Sequence, residues 1–102
     1  MKRKASVKVV RSSGNLFADL GLGKREAEHL LIRADLLIRL QEEIRRRGLK
    51  QSEAAKMLGI TQPRVSDLVR SRLHLFSTDA LIDLLAGLGI RVRVVTSRNK
   101  VA

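Results

Sequence analysis

The stretch LKQSEAAKMLGITQPRVSDLVRSRL, residues 49–73, has the spacing of two short helices joined by a tight turn. Where two such helices cross, a small side chain is needed, and Ala55 supplies it. Four positions later, Gly59 supplies a residue that tolerates the positive φ of a tight turn. Val65 and Leu68 fall where a second helix returns apolar side chains to the first. The spacing therefore predicts a helix-turn-helix.

The two helices of this motif are predicted over residues 51–58 and 62–71. Thr61 is the expected N-cap of the second helix, and Pro63 falls in its first turn, where a missing N–H costs little. The polar side chains of this region are expected to point away from the first helix: Thr61, Gln62, Arg64, Ser66, Asp67 and Arg70. An ordinary pair of antiparallel helices is the alternative interpretation, but it does not explain so many exposed hydrogen-bonding groups.

The charge of the chain favours a polyanionic partner, because 102 residues carry a formal net charge of +11. A soluble protein that is merely basic is the alternative. There are two Phe and neither Trp nor Tyr, so recognition by stacking bases on aromatic rings is not expected. The absence of Cys excludes disulfides, thiolate metal sites and cysteine nucleophiles.

Neither a membrane location nor catalysis is expected. No apolar run is long enough to span a bilayer, and the apolar run in MKRKASVKVV is too short for a secretory signal, so we expect a cytoplasmic protein. The only histidines are His29 and His74, and no Ser has a plausible His and acid partner. We therefore expect no enzyme, no cofactor and no metal site.

The chain divides into three predicted parts: a basic arm over residues 1–14, a helical domain over 15–89, and a strand and tail over 90–102. The arm has no acidic residue; it is interpreted either as a segment lying on phosphate or as a solvated tail, and its valines are compatible with a short strand. Asn15 is expected to cap a single helical turn that packs Leu16, Phe17 and Leu20 against the core.

A long helix is predicted over residues 24–47, and a last helix over 78–88 with Ser77 as its N-cap. Apolar residues of the long helix recur at helical spacing, in a stripe that includes Leu30, Ala34, Leu37, Gln41 and Ile44. Its first half is apolar over more than one face, which indicates either burial or a partner surface. Glu42 and Glu43 stand four residues before Arg46 and Arg47, the favoured orientation for intrahelical ion pairs.

The segment IRVRVV alternates as a strand does, with Ile90, Val92 and Val94 on one face and Arg91 and Arg93 on the other. A lone strand is not stable. It must therefore pair with the valine-rich segment of the arm, with a second copy of itself, or with a partner protein. We predict Ile90, Val92 and Val94 as a dimer or partner interface.

The helix-turn-helix resembles that of the lambda-repressor-like, XRE-type regulators. The order NLFADLGL, a long helix, RGLKQSEAAKMLGITQPRVSDLVRSRL and FSTDALIDLLAGLGIRVRV is similar to the HigA-type antitoxin branch over residues 14–95. The resemblance implies a mainly α fold of four to five helices with a short C-terminal β-strand. It further implies a homodimer on double-stranded, palindromic operator DNA that represses its own operon and binds a RelE-like ribonuclease toxin.

The same resemblance implies where DNA is bound. The implied contact residues are Lys50, Gln51, Thr61, Gln62, Arg64, Ser66, Asp67, Arg70 and Arg72. Gln51 would lie near a phosphate and brace Gln62. Base edges or the adjoining backbone would be reached by Thr61, Gln62, Arg64 and Ser66.

Phosphate contacts are expected from Lys50, Arg70 and Arg72. Asp67 is expected to accept from a cytosine amino group or to hold Arg64 or Arg70. The chain departs from the family at two points. Lys50 stands where a capping Thr is common, and Ser71-Arg72 where a Gly is common.

Three functions remain open on these grounds. The chain is an operator-binding repressor that is also an antitoxin, a stand-alone or phage-type repressor without a toxin, or mainly a protein-binding inhibitory module. The first two share their DNA chemistry, and a neighbouring reading frame for a small ribonuclease-like protein would favour the first.

Overall fold

In a computed structural model of the chain, residues 6–10 and 23–98 are described. They form two strands, four α-helices and one 3₁₀ turn: β1 (Ser6–Val10), α1 (Lys24–Arg46), α2 (Gln51–Leu58), α3 (Gln62–Val69), the 3₁₀ turn (Leu73–Leu75), α4 (Thr78–Gly87) and β2 (Arg91–Val95). This confirms the predicted mainly α fold with a short C-terminal strand. The turn predicted at Asn15 and most of the predicted arm lie outside the described residues.

Helix α1 runs for 23 residues without Gly or Pro and buries one stripe of its surface. The stripe consists of Ala27, Leu36, Leu37, Leu40, Glu43 and Ile44. The helix ends one residue before the predicted end, at Arg46, and Gly48 then takes a φ of +64°. Only glycine adopts this backbone conformation without steric cost, so the chain turns sharply into α2.

The turn between α2 and α3 has the predicted geometry. Gly59 has a φ of +71°, and its N–H donates to the Ala55 carbonyl at 2.9 Å. Thr61 caps α3, because its Oγ1 accepts from the N–H of Arg64 at 3.3 Å. α3 ends at Val69, two residues before the predicted end, because Ser71 adopts a φ of +58° that no helix can contain.

The core lies between the helices and receives side chains from each of them. Its members include Leu40, Ala54, Val65, Leu68, Phe76, Leu81, Leu85 and Ile90. Ser77 caps α4 as predicted, with its Oγ accepting from Ala80 N at 3.1 Å. α4 ends at Gly87, one residue before the predicted end.

The two strands pair in parallel, with Ser6 opposite Arg91 and Val10 opposite Val95. Of the three partners expected for the C-terminal strand, the structure has the chain's own N-terminal segment. A parallel pair needs a long crossover, and here the whole helical unit supplies it. β1 contacts α1 and β2 contacts α4, so the sheet rests on the side of the domain formed by these two helices.

Candidate nucleic-acid interface

Helix α3 presents a polar surface outward. Gln62 and Arg70 are exposed and Ser66 is half-buried. Within residues 23–98 none of these three side chains makes a hydrogen bond, so their donors and acceptors remain available to a partner. On the opposite side of the helix, Val65 and Leu68 are fully buried against α2 and α1. One helix thus combines a rigid apolar attachment with an unsatisfied polar face.

The C-terminal end of α3 is held by a residue of α1. Gln41 Nε2 donates to the Leu68 carbonyl at 2.7 Å and to Ser71 Oγ at 2.8 Å. The Leu68 carbonyl, which lies in the last turn of α3, thus accepts from Gln41 as well as from the Ser71 N–H at 3.1 Å. The second bond from Gln41 fixes Ser71, which takes the positive φ that the resemblance led us to expect of a glycine. The position of the polar Gln41 within an apolar stripe is the sequence signal for this role.

Arg64 packs back onto the protein. Its Nη1 donates to the Leu75 carbonyl at 2.9 Å, and its guanidinium carbon lies 4.2 Å from the centroid of the buried Phe76 ring. These two contacts join α3 to the segment that leads into α4. A base contact by Arg64 stays a prediction, and making it would require Arg64 to leave both contacts.

Asp67 forms its ion pair with Arg72, at 3.9 Å between Oδ1 and Nε, rather than with Arg64 or Arg70 as expected. The Arg72 N–H also donates to the Asp67 carbonyl at 3.0 Å. The pair is partly exposed, so its contribution to stability is small. It places a carboxylate and a guanidinium side by side at the end of α3.

The N-terminus of α2 lacks the capping threonine, and Lys50 takes the N-cap position. An ammonium group has no acceptor, so one half of the usual capping box is missing. The other half remains, because the Lys50 N–H donates to Glu53 Oε1 at 2.8 Å. Gln51 is exposed, and no hydrogen bond joins it to Gln62 among the described side chains. The expected brace between the two glutamines is therefore not formed in this structure.

Two comparisons bear on this arrangement. The model of a family described as "Helix-turn-helix domain" matches residues 16–97, which is most of the chain. A solved structure that carries the provisional name of an XRE-family transcriptional regulator is 39% identical, with a TM-score of 0.67 over 74% of this chain and 83% of that one. This chain belongs to the XRE-type helix-turn-helix family. Among curated proteins none matches it.

At the C-terminal end of α1, this helix-turn-helix protein buries the carboxylate of Glu43 among three arginines. Glu43 is 1% exposed and accepts hydrogen bonds from Arg39 at 3.0 Å, from Arg46 at 2.5 Å and from Arg47 at 2.7 Å. Hydrogen bonds from Arg46 above all hold the pKa of Glu43 at about 2, below its ordinary value of 4.5, against the opposing effect of burial. Arg47 also donates to the Leu88 carbonyl at 2.7 Å. The cluster therefore ties α1 to the C-terminal end of α4.

Within residues 6–10 and 23–98, no group of His, Cys, Asp and Glu side chains is placed to hold a metal ion. No helix in the same part of the chain is long and apolar enough to cross a membrane.

The predicted dimer residues differ in their surroundings. Ile90 is 2% exposed and belongs to the chain's own core, Val92 is half-buried against that core, and Val94 is 63% exposed. A partner surface on this strand would therefore be centred on Val94.

Proposed function

We propose that the chain is a transcriptional regulator that binds double-stranded DNA in a sequence-specific way, with α3 in the major groove. The observation that carries this proposal is the unsatisfied polar face of α3, held in a fixed orientation by Val65, Leu68 and Gln41. A helix is the element that the major groove admits, and polar side chains on its outer face can read base edges. Membership of the XRE-type family supports the same function.

The exposed residues divide into two roles in this proposal. Gln62 and Ser66 read base edges, since a glutamine amide can pair bidentately with adenine. Lys50, Arg70 and Arg72 bind phosphate, which positions the protein without reading sequence. Arg64 reads bases only after leaving Leu75 and Phe76.

Thr61, Gln51 and Asp67 complete the proposed surface. The Thr61 hydroxyl accepts the cap bond of α3 and keeps its own proton for a phosphate or a base. Gln51 is available for phosphate at the start of α2. Asp67 accepts from a cytosine amino group while Arg72 offsets its charge.

A two-fold dimer is part of this proposal. Two copies of α3 would enter successive major grooves about 34 Å apart and read a palindromic operator. The exposed Val94 supports a contact between copies through β2. The variant Val94→Lys should then be monomeric by light scattering at concentrations where the unaltered chain is dimeric, and an unchanged mass would remove β2 from the interface.

The proposed biological role is that of an antitoxin in a type II toxin–antitoxin pair, repressing its own operon. It is supported by the resemblance of residues 14–95 to the HigA-type branch. A stand-alone or phage-type repressor is the alternative. Co-expression with the neighbouring reading frame separates the two: rescue of growth from a toxic neighbour supports the antitoxin, and a harmless neighbour supports the stand-alone repressor.

The DNA-binding proposal is tested by fluorescence anisotropy with a duplex from the gene's own upstream region and with a scrambled duplex. Gln62→Ala should weaken binding to the first by about 1–3 kcal/mol per half-site and leave binding to the second unchanged. Thr96→Ala, an exposed uncharged change outside the motif, is the control. If Gln62→Ala leaves both the operator affinity and the footprint as they were, α3 is not the reading helix.

A further inference from the structure

The net charge of this chain is concentrated at its two ends. Residues 1–18 contain five Lys or Arg, residues 84–102 contain four, and neither segment contains an acidic residue. Residues 19–83 contain the other twelve cations and all ten acidic residues. Nine of the eleven net charges therefore lie outside residues 19–83, although cations as such are spread along the whole chain.

The fold pairs one strand from each of these acid-free segments. β1 comes from the first and β2 from the second, and they pair over five residues each with Lys8 opposite Arg93. Arg91 and Arg93 alternate with Val92 and are exposed. Neither guanidinium has an ion-pair partner within residues 23–98. β2 therefore offers these two cations to a partner.

A nucleic-acid backbone fits this surface better than an acidic protein does. A stable protein interface needs an apolar centre of substantial area. By alternation, the face of β2 that carries Arg91 and Arg93 has only the half-buried Val95, whereas the exposed Val94 belongs to the opposite face. Phosphate contacts require cations alone, and their strength comes from the release of counterions. The sheet rests on α1 and α4, so it lies apart from the polar face of α3.

We propose that the β1–β2 sheet is a second, sequence-independent contact with the DNA phosphate backbone, outside the groove that α3 enters. The choice of DNA as the polyanion rests on the proposed function. The location of the contact rests on the distribution of charge and on the pairing of the two strands. The sheet thus supplies affinity for any duplex, and α3 supplies the preference for one sequence.

The test is the salt dependence of binding to a long duplex by the full chain with Arg91→Gln and Arg93→Gln. Each phosphate contact contributes about 0.9 to the slope of log K against log salt, so losing two should lower the slope by roughly 2. Affinity at 100 mM salt should fall at least about tenfold, equally for the operator and for a scrambled duplex. The matched control is Lys24→Gln with Arg25→Gln, which removes two exposed cations from α1 and should leave the slope unchanged.

Each outcome separates this inference from the proposed function. A slope equal to that of the unaltered chain overturns the inference, while discrimination between operator and scramble would still support the function of α3. A lowered slope without any discrimination would support the sheet contact and overturn sequence-specific regulation. A fluorescein-labelled polyglutamate peptide is the second probe: binding to it that needs Arg91 and Arg93, without a change in the duplex slope, would assign the sheet to an acidic protein instead.

Discussion

The buried carboxylate of Glu43 should make the stability of this protein depend on pH in a way that one substitution removes. Its pKa is about 2 in the folded chain and 4.5 ordinarily. A lowered pKa means that the folded state favours the ionised form, so the stabilisation is complete above pH 4.5 and is lost as pH falls toward 2. Each pKa unit corresponds to about 1.4 kcal/mol, which sets an upper limit of about 3 kcal/mol.

The solvent exposure of Arg46 lowers the stabilisation expected from Glu43 below this upper limit. The Glu43 side chain is 1% exposed, but that of Arg46 is 69% exposed and is screened by water. We therefore expect about 2–3 kcal/mol. Glu43→Gln should lower the free energy of unfolding by this amount at pH 7, because the arginines lose a charged acceptor in a buried site.

The assay is urea unfolding of the unaltered chain and of Glu43→Gln at intervals from pH 7 to pH 2. The difference between the two should be constant above pH 5 and should shrink to near zero at pH 2, since every other carboxylate titrates in both proteins. Glu42→Gln is the matched control, because Glu42 is the exposed neighbour on the same helix; it should change stability by less than about 0.5 kcal/mol. A difference that stays constant down to pH 2 would refute the reasoning.

Further predictions concern the turn and the attachment of α3. Gly59→Ala should lower the free energy of unfolding by about 1 kcal/mol in thermal unfolding, because Gly59 has a φ of +71°. Gly87→Ala is the control: Gly87 is helical, and no atom lies near the added Cβ at either position, so this variant should be neutral or stabilising. A loss of stability in Gly87→Ala as large as that in Gly59→Ala would contradict this reasoning. Arg64→Ala should cost about 1–2 kcal/mol through loss of its carbonyl bond and its stacking on Phe76; Arg64→Lys should recover part of this, and equal losses would contradict the stacking. Gln41→Ala should cost about 1–2 kcal/mol by removing two hydrogen bonds, one to Ser71 Oγ and one to the Leu68 carbonyl, which keeps its bond from the Ser71 N–H; a loss below about 0.5 kcal/mol would contradict that role.

The helix-turn-helix was predictable because its requirements are local. The motif needs a small residue at the helix crossing, a glycine at positive φ and a hydroxyl cap, and each of these acts over a few residues. Ala55, Gly59 and Thr61 could therefore be identified from one stretch of sequence. The Glu43–Arg47 pair was predictable for the same reason. The expected Glu42–Arg46 pair was wrong, because Arg46 turns instead to Glu43.

Contacts between distant segments were not predictable in this way. The attachments of Gln41 to Leu68 and of Arg64 to Leu75 depend on how the helices pack, which no spacing encodes. Helix α3 ends earlier than predicted for a related reason. Contacts with its neighbours hold Ser71 at a positive φ, which serine does not favour by itself.

The distribution of positive charge depends both on the sequence and on the tertiary structure. The sequence alone determined that the two ends of the chain carry nearly all of the net positive charge, because charge depends on composition. Only the tertiary structure decided that β1 and β2, one from each end, pair in a parallel sheet, and that Ile90 belongs to the core while Val94 remains exposed. Pairing across some eighty residues is set by the packing of the helices between the strands, and periodicity within a strand carries no information about its partner.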